Sequence, residues 1–337
     1  MSQVFFYFYI MKEIRIAYFG TPEFASYQLE TILKEGFNVV VVITAPDKPA
    51  GRGKKIQQSD VKRTAIAHQL PVLQPERLRD EAFLNELASY QANLFIVVAF
   101  RMLPAMVWKM PEYGTFNLHA SLLPQYRGAA PINHAIINGE KETGVTTFFI
   151  NEEIDKGAIA MQQHIAIDDD DNAGTLHDKL MIAGSRLIID TIKGIQDDTI
   201  DKEEQDSIII KDTMVLKEAP KIFKDFCYIP WNESCLTIYN HIRGLSPYPC
   251  AHTRITSDVD KFLDLKIYRS HYELCLPSET IGDIVSDSKH YIKVALRDGY
   301  LFLDEVQQAG KKAMPIEDFL RGQAMIGKWK VTLKMPL

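Results

Sequence analysis

At 337 residues, with 46% apolar and 24% charged residues, the chain has the composition of a folded globular protein, and at ~150 residues per domain it is long enough for about two domains. Its net charge of −6 excludes the global basic field of many nucleic-acid binders, so a polyanionic partner must be held by local patches. The balance shifts along the chain: Ala219 to Leu337 carries 16 Lys and Arg against 14 Asp and Glu, and the excess of acid lies before it.

The apolar run Val4–Ile10 is too short to span a bilayer, and without a preceding basic residue or a small-residue cleavage site it is a poor signal peptide. The strand pattern that opens at Met11-Lys12 predicts that Met11 is the natural start and that residues 1–10 are an upstream extension. Four cysteines (Cys227, Cys235, Cys250, Cys275) without C-x-x-C spacing predict reduced thiols in a cytoplasmic protein rather than a zinc site.

Ile14–Phe19 reads as a strand closed by Gly20-Thr21-Pro22, Glu23–Glu35 as an amphipathic helix, and Asn38–Thr44 as a β-branched strand buried on both faces. This is a βαβ unit, but its first turn lacks G-x-G-x-x-G, which argues against a dinucleotide pyrophosphate there. The segment Ala45–Ser59 carries two prolines, two glycines and the cations Lys48, Arg52, Lys54 and Lys55. Two readings stand: a solvated loop, or a basic finger that closes on a phosphate backbone.

Helices at Asp60–Gln69 and Asp80–Tyr90 flank a short strand at Val72–Gln74, and Leu94–Phe100 is another buried strand, followed by a short helix at Pro104–Met110. The stretch Gly114–Pro131, GTFNLHASLLPQYRGAAP, follows. Asn117 and His119 stand two apart on an extended backbone, so they project from one face, and a Pro- and Gly-punctuated loop follows. This pattern fits a reaction site at a strand end, and equally an Asn that caps a turn beside a core histidine.

Beyond a helix at Ile132–Asn138, the strands Val145–Ile150 and Ala158–Ile165 are joined by a connection holding Asp155, within reach of His119 if the strands neighbour each other. The acidic run Asp168–Asp171 reads as the cap of a helix at Thr175–Ile195 rather than as a metal site. The polar Gly194–Asp206 reads as a linker. After it come one helix, about Asn232–Arg243, and short alternating segments at Ala251–Thr256, Leu263–Ser270, Thr280–Ser286, Tyr291–Leu296 and Tyr300–Val306. These predict a small antiparallel barrel. The expected architecture is α/β: a Rossmann-like, doubly wound, mostly parallel sheet followed by a smaller C-terminal OB-like β-barrel.

NLHASLLPQYRGAAP, PDKPAGRGKK, FGTPEF, KETGVT, the later Asp-x-Gly, IRGLSPYPCA and AGKKAM together resemble the methionyl-tRNA formyltransferase family, and the resemblance runs in order from about Ile14 to Leu337. The resemblance implies transfer of a formyl group from the co-substrate 10-formyltetrahydrofolate to the amino group of methionine on initiator tRNA, in a cytoplasmic enzyme without a metal. It implies no membrane and no stable protein partner, hence a monomer. It divides the chain into residues 11–196 (transferase domain), 197–218 (linker) and 219–337 (OB-like, tRNA-binding). By the same resemblance Asn117, His119 and Asp155 are catalytic. Ser121, Leu122, Leu123 and Pro124, with Arg101, Met102 and Leu103, bind folate, and Arg52, Lys54, Lys55, Lys311 and Lys312 bind tRNA. The chain departs from the family at Phe100-Arg101, where Tyr-Gly is usual, at Lys156-Gly157-Ala158, where Thr-Gly-Asp is usual, and at Cys250, where Gly is common. The first two put the detail of the pocket in question, and none removes a catalytic group.

The chemistry suits these residue types. An amine attacking a formyl carbon builds an oxyanion, to which Asn117 donates an N–H and His119 a second, while Asp155 supplies opposite charge and relays protons. Other readings are a transferase for a sugar nucleotide or glycinamide ribonucleotide, a 10-formyltetrahydrofolate hydrolase, and a non-catalytic RNA-binding protein of the same fold. The basic loop and the barrel argue against the small-molecule transferases, and the Asn–His–Asp set against the last.

Overall fold

The computed structural model describes residues 12–50, 55–212, 214–259, 261–323, 325 and 327–333. Residues 1–10, with their predicted upstream origin, lie outside them. The first elements are β1 (Arg15–Gly20), α1 (Glu23–Lys34), β2 (Asn38–Ile43), β3 (Lys48–Ala50), β4 (Lys55–Gln57), α2 (Asp60–Ala67) and β5 (Val72–Leu73). Next come α3 (Glu81–Ser89), β6 (Leu94–Val98), α4 (Ala105–Trp108), β7 (Thr115–His119), β8 (Arg127–Gly128) and α5 (Pro131–Ile137). They are followed by β9 (Glu142–Phe149), β10 (Ile159–Ala166), α6 (Ala173–Gln196), α7 (Gln205–Asp212) and β11 (Glu218–Ala219). The last are α8 (Cys235–Leu245), β12 (Ala251–Ser257), β13 (Phe262–Leu274), β14 (Asp283–Ser286), β15 (Ile292–Ala295), β16 (Gly299–Gln308), β17 (Met314–Pro315), α9 (Ile316–Gly322) and β18 (Trp329–Val331).

The chain forms two compact units. The first comprises residues up to Arg127 with Gly144–Ile165 and Leu180–Leu216, and the second Gly128–Thr143, Ala166–Lys179 and the residues from Lys217 onward.

The first unit is built on a seven-stranded sheet ordered β10-β9-β7-β6-β1-β2-β5. β1 pairs in parallel with β2 and β6, β2 with β5, and β6 with β7, while β9 runs antiparallel to β7. The uninterrupted apolar runs of β2 and β6 follow from burial on both faces. On one face Phe19 and Phe95 meet at 5.3 Å within a cluster that also holds Ala17, Val41, Ile43, Val97 and Val107. Each of the Val, Ile and Phe side chains contributes about 1.5–3 kcal/mol by leaving water.

Within Ala45–Ser59, expected as a solvated loop or as a basic finger, the described residues form two short strands: β3 and β4 pair antiparallel, Lys48 opposite Gln57 and Ala50 opposite Lys55. The foot of this arm is pinned, because Lys62 Nζ lies 2.6 Å from both Asp47 Oδ2 and Gln74 Oε1. The Ser59 hydroxyl caps α2 by accepting from the Lys62 amide.

The second unit contains a closed barrel. β13, β12, β18, β14, β15 and β16 follow one another around it, and the β13–β16 pairing closes the ring. Five of the six strands match segments expected from the sequence; the sixth, β18, is three residues long, too short for alternation to reveal it. Trp231 is fully buried in the barrel's core cluster and donates from Nε1 to Thr253 Oγ1 at 2.8 Å. α5 lies against α8, where a Cβ at Gly244 would come within 2.5 Å of Ile137. The amides at the start of α6 are capped by Asn172, the residue after the acidic run, whose Oδ1 accepts from Gly174 and Thr175, while Asp171 of the run accepts from the Thr175 hydroxyl there. Among the described residues no helix is long and apolar enough to cross a membrane.

Three histidines of the second unit are held neutral by burial. Desolvation lowers the pKa of His134 and His252 and brings His241 down to about 4. His241 Nε2 is buried without a partner among the described residues. A depressed folded-state pKa means that the unfolded chain takes up these protons first, so the stability is intact above about pH 6.5 and is lost as pH falls toward 4. Replacement of His241 by Phe is expected to flatten the fall in melting temperature between pH 7 and pH 5, with about 2 kcal/mol at stake. Thermal melts of parent and variant at the two pH values check this.

Candidate active site

The site stands at the C-terminal edge of the parallel strands, where α/β sheets present their ligands. Asn117 and His119 lie on β7, opposite Phe148 and Thr146 of β9. The Asn117 side chain is half-buried and makes no hydrogen bond to the described residues, so its amide donors are not engaged by them. His119 is 8% exposed. Its Nε2 lies 2.9 Å from the Tyr126 carbonyl, which only accepts, so Nε2 carries the hydrogen. That leaves Nδ1 facing Asp155, with Oδ2 4.0 Å away. The gap is too long for a direct hydrogen bond and short enough for charge attraction once the ring is protonated. The edge of the Phe148 ring meets the imidazole at 6.5 Å.

Asp155 sits in the β9–β10 connection with a left-handed backbone, φ 55°, and Tyr126 is likewise at φ 59°. Non-glycine residues held in this region mark sites where the surroundings dictate the backbone. Around Asp155 the surroundings are explicit. At Gly157 a Cβ would fall 1.7 Å from the Phe149 carbonyl oxygen, so no other residue fits. Gln205 Nε2 donates to the carbonyls of Asp155 and Gly157, at 2.9 and 2.8 Å. Gln205 Oε1 accepts twice from Arg127, at 3.0 and 2.6 Å. Burial lowers the Arg127 pKa, against the pull of the carboxylates of Asp206, Asp155 and Glu153.

The loop after β7 is fastened by one hydroxyl. Thr146 Oγ1, fully buried, donates to the Ser121 carbonyl at 2.7 Å and accepts from the Leu123 amide at 3.1 Å and from Gln162 Nε2 at 2.8 Å. Gln162 also donates to the Leu123 carbonyl, and the Ser121 hydroxyl to that of Gln125. Leu123 packs with Phe148 and Ile159, Pro124 is buried, and Leu122 is half-buried.

The remaining residues singled out by sequence are placed less uniformly. Leu103 belongs to the sheet's core cluster and Met102 is 75% exposed. Arg101 is exposed and donates to the carbonyls of Glu76 and Pro75. Arg52 and Lys54 lie outside the described residues, and Lys55 opens β4. Lys311 and Lys312 are exposed in the turn after β16, next to Gly310 at φ 80°. The first unit thus brings Asn117, His119, Asp155 and Ser121–Pro124 to one edge. A separate cleft of about 680 Å³ in the second unit, lined by Lys141, Asp169, Tyr239, Asn240 and Arg243 among others, contains none of the residues assigned a catalytic, folate or tRNA role from the sequence. Among the described residues no cluster of His, Cys, Asp and Glu has the form of a metal site.

Residues 14–192 match the formyl transferase family and residues 221–324 the formyl transferase C-terminal domain. The methionyl-tRNA formyltransferase of Parabacteroides distasonis is 53% identical over 95% of this chain and 99% of its own length. That of Flavobacterium johnsoniae is 50% identical over 95% and 100%. Among solved structures, the N-formyltransferase from Helicobacter canadensis, in complex with folinic acid and dTDP-3-aminofucose, superposes with a TM-score of 0.60 at 21% identity, covering 88% of this chain and 99% of that one. At that identity the likeness is one of fold. The chain belongs to the formyl transferase family, and its relatives at about half identity carry one name within it, methionyl-tRNA formyltransferase.

Thr146 and Gln205 escaped selection by sequence. Thr146 sits in the quoted KETGVT phrase with nothing local to separate it from other strand threonines, and Gln205 falls in the charged stretch read as a linker. Thr146→Val keeps the shape and removes the hydroxyl, leaving the Leu123 amide without its acceptor. It is expected to cost about 1–3 kcal/mol in denaturant unfolding and to impair folate binding in titration.

Proposed function

We propose that this chain transfers the formyl group of 10-formyltetrahydrofolate to the α-amino group of methionyl initiator tRNA. The observation that carries the chemistry is an unengaged Asn117 amide two residues from a His119 whose Nδ1 faces Asp155. The choice of acceptor rests on the name shared by relatives at about half identity over nearly the whole chain.

The methionyl amine attacks the formyl carbon and the carbonyl oxygen becomes an oxyanion. The C–N10 bond then breaks as N10 of the folate gains the proton that the amine loses. Asn117 donates its N–H to the oxyanion, where the charge develops rather than where it already exists. His119, with Nε2 committed to the Tyr126 carbonyl, acts through Nδ1: neutral, it takes the amine's proton; protonated, it donates and faces Asp155. Asp155 holds the charge of the imidazolium and passes protons by way of water. The reaction as written calls for positioning, hydrogen bonds and a proton path, and for no covalent intermediate.

Ser121–Pro124 form the folate wall in this reading, with Arg101, Met102 and Leu103 on the strand-end segment beside it. The tRNA is held by local cations: the basic arm with Arg52, Lys54 and Lys55, and the exposed pair Lys311 and Lys312. Each phosphate they neutralise adds about 0.7–0.9 to the salt slope of binding. Acceptor-stem shape and unpaired ends supply recognition. The substrate belongs to translation initiation, which places the enzyme in the cytoplasm, where one chain suffices.

Asn117→Ala is expected to lower the single-turnover rate about 10²–10³-fold while melting like the parent. A near-parental rate would remove Asn117 from the chemistry. Arg52→Ala is expected to weaken the use of tRNA, with a smaller salt slope, and to leave folate titration unchanged. An unaltered tRNA dependence would remove the arm from recognition.

A further inference from the structure

We infer that Gln205 is a positioning residue of this site, one that fixes the Asp155 carboxylate against His119 by holding the backbone around it. The inference rests on the reading of Asp155 as a catalytic group.

The side chain of Gln205 is 1% exposed and uses its whole hydrogen-bonding capacity. Both lone pairs of Oε1 take hydrogens from Arg127, and both hydrogens of Nε2 go to backbone carbonyls, those of Asp155 and Gly157. The two carbonyls bracket Lys156, so one planar amide sets the path of the chain on both sides of the turn that Asp155 enters. That turn gains from being held: Asp155 has φ 55°, a left-handed conformation that is unfavourable for an L-residue, although less so for aspartate than for most. Gly157 meets Phe149 across the turn with no room to spare. Without the two donors the Asp155 backbone relaxes, and its carboxylate, now 4.0 Å from His119 Nδ1, moves with it. Displacements of about 1 Å at a reacting group cost on the order of 10²-fold in rate.

The amide, rather than any polar group, is required. Glutamate at this position keeps the acceptor for Arg127 and turns a carboxylate toward two carbonyls, which repel it. Methionine keeps the volume and removes all four hydrogen bonds. A merely structural residue and a positioning residue both tolerate such changes poorly, and they differ in what is lost.

The test measures steady-state and single-turnover formylation by the full chain carrying Gln205→Met, Gln205→Glu, Asp155→Asn, and each Gln205 change together with Asp155→Asn. The expected result for Gln205→Met or Gln205→Glu is a melting temperature within a few degrees of the parent, KM values for folate and tRNA within about threefold, and kcat lower by about 10–100-fold. In the Asp155→Asn background the same change should cost less than about threefold, because the group it positions is already lost. If both single variants fail to fold, or if they cost as much with Asp155→Asn as without it, Gln205 is structural and the inference is overturned. If Asp155→Asn alone abolishes turnover and the Gln205 variants keep it, the inference fails and the reading of the site stands. If Asp155→Asn retains full activity, the reading itself falls and the inference with it.

Discussion

The register of one antiparallel strand beside a parallel one governs this site. β9 runs against β7 so that Thr146 stands opposite His119, and from that position its hydroxyl reaches the Ser121 carbonyl and the Leu123 amide. A fully buried hydroxyl that donates once and accepts twice leaves the loop little choice of path, since breaking any one bond strands a polar group in the protein interior. The same register puts Phe148 beside Asn117 and against the imidazole of His119. Slipping β9 by one residue would turn each of these side chains to the other face of the sheet.

From this fixed end the polar groups divide by what they can still do. His119 spends Nε2 on a backbone carbonyl and keeps Nδ1. Gln205 spends everything on structure, whereas Asn117 spends nothing on the described residues. In the proposed reading, buried amides and hydroxyls that are fully satisfied hold the reactive groups, and one donor and one ring nitrogen are left for chemistry. The cost of a half-satisfied network in a low-dielectric interior makes such a division stable only when every supporting group finds its partner.

Much of this was legible in the sequence. Asn117 and His119 share a face because a strand has a period of two, and Asp155 lies on the connection to a neighbouring strand, so their proximity follows from local pattern plus sheet adjacency, whereas their catalytic role came only with the family resemblance. The buried strands β2 and β6 announce themselves as unbroken apolar runs. Gln205 did not, because burial of a glutamine in an acidic, polar stretch is decided by Arg127 and by the Asp155 turn, partners far away in the chain. The β3–β4 pairing was hidden by the prolines and glycines of the segment, which read as loop. β18 was hidden by its length. The second unit gathers three separate stretches of chain, and α5 joins it by its contact with α8, a partnership that no local periodicity encodes. His119's tautomer was also beyond the sequence, since it depends on where the Tyr126 carbonyl ends up.

The most direct measurement follows the fate of a labelled formyl group. The full chain is incubated with 10-formyltetrahydrofolate labelled in the formyl carbon and, in parallel, with methionyl initiator tRNA, methionyl elongator tRNA, glycinamide ribonucleotide, an amino-sugar nucleotide, or water alone. The account predicts rapid transfer of label to the methionyl initiator tRNA, with elongator tRNA and the small amines far behind and free formate negligible. Preferential labelling of a small amine, or release of formate at the same rate without any acceptor, would contradict it.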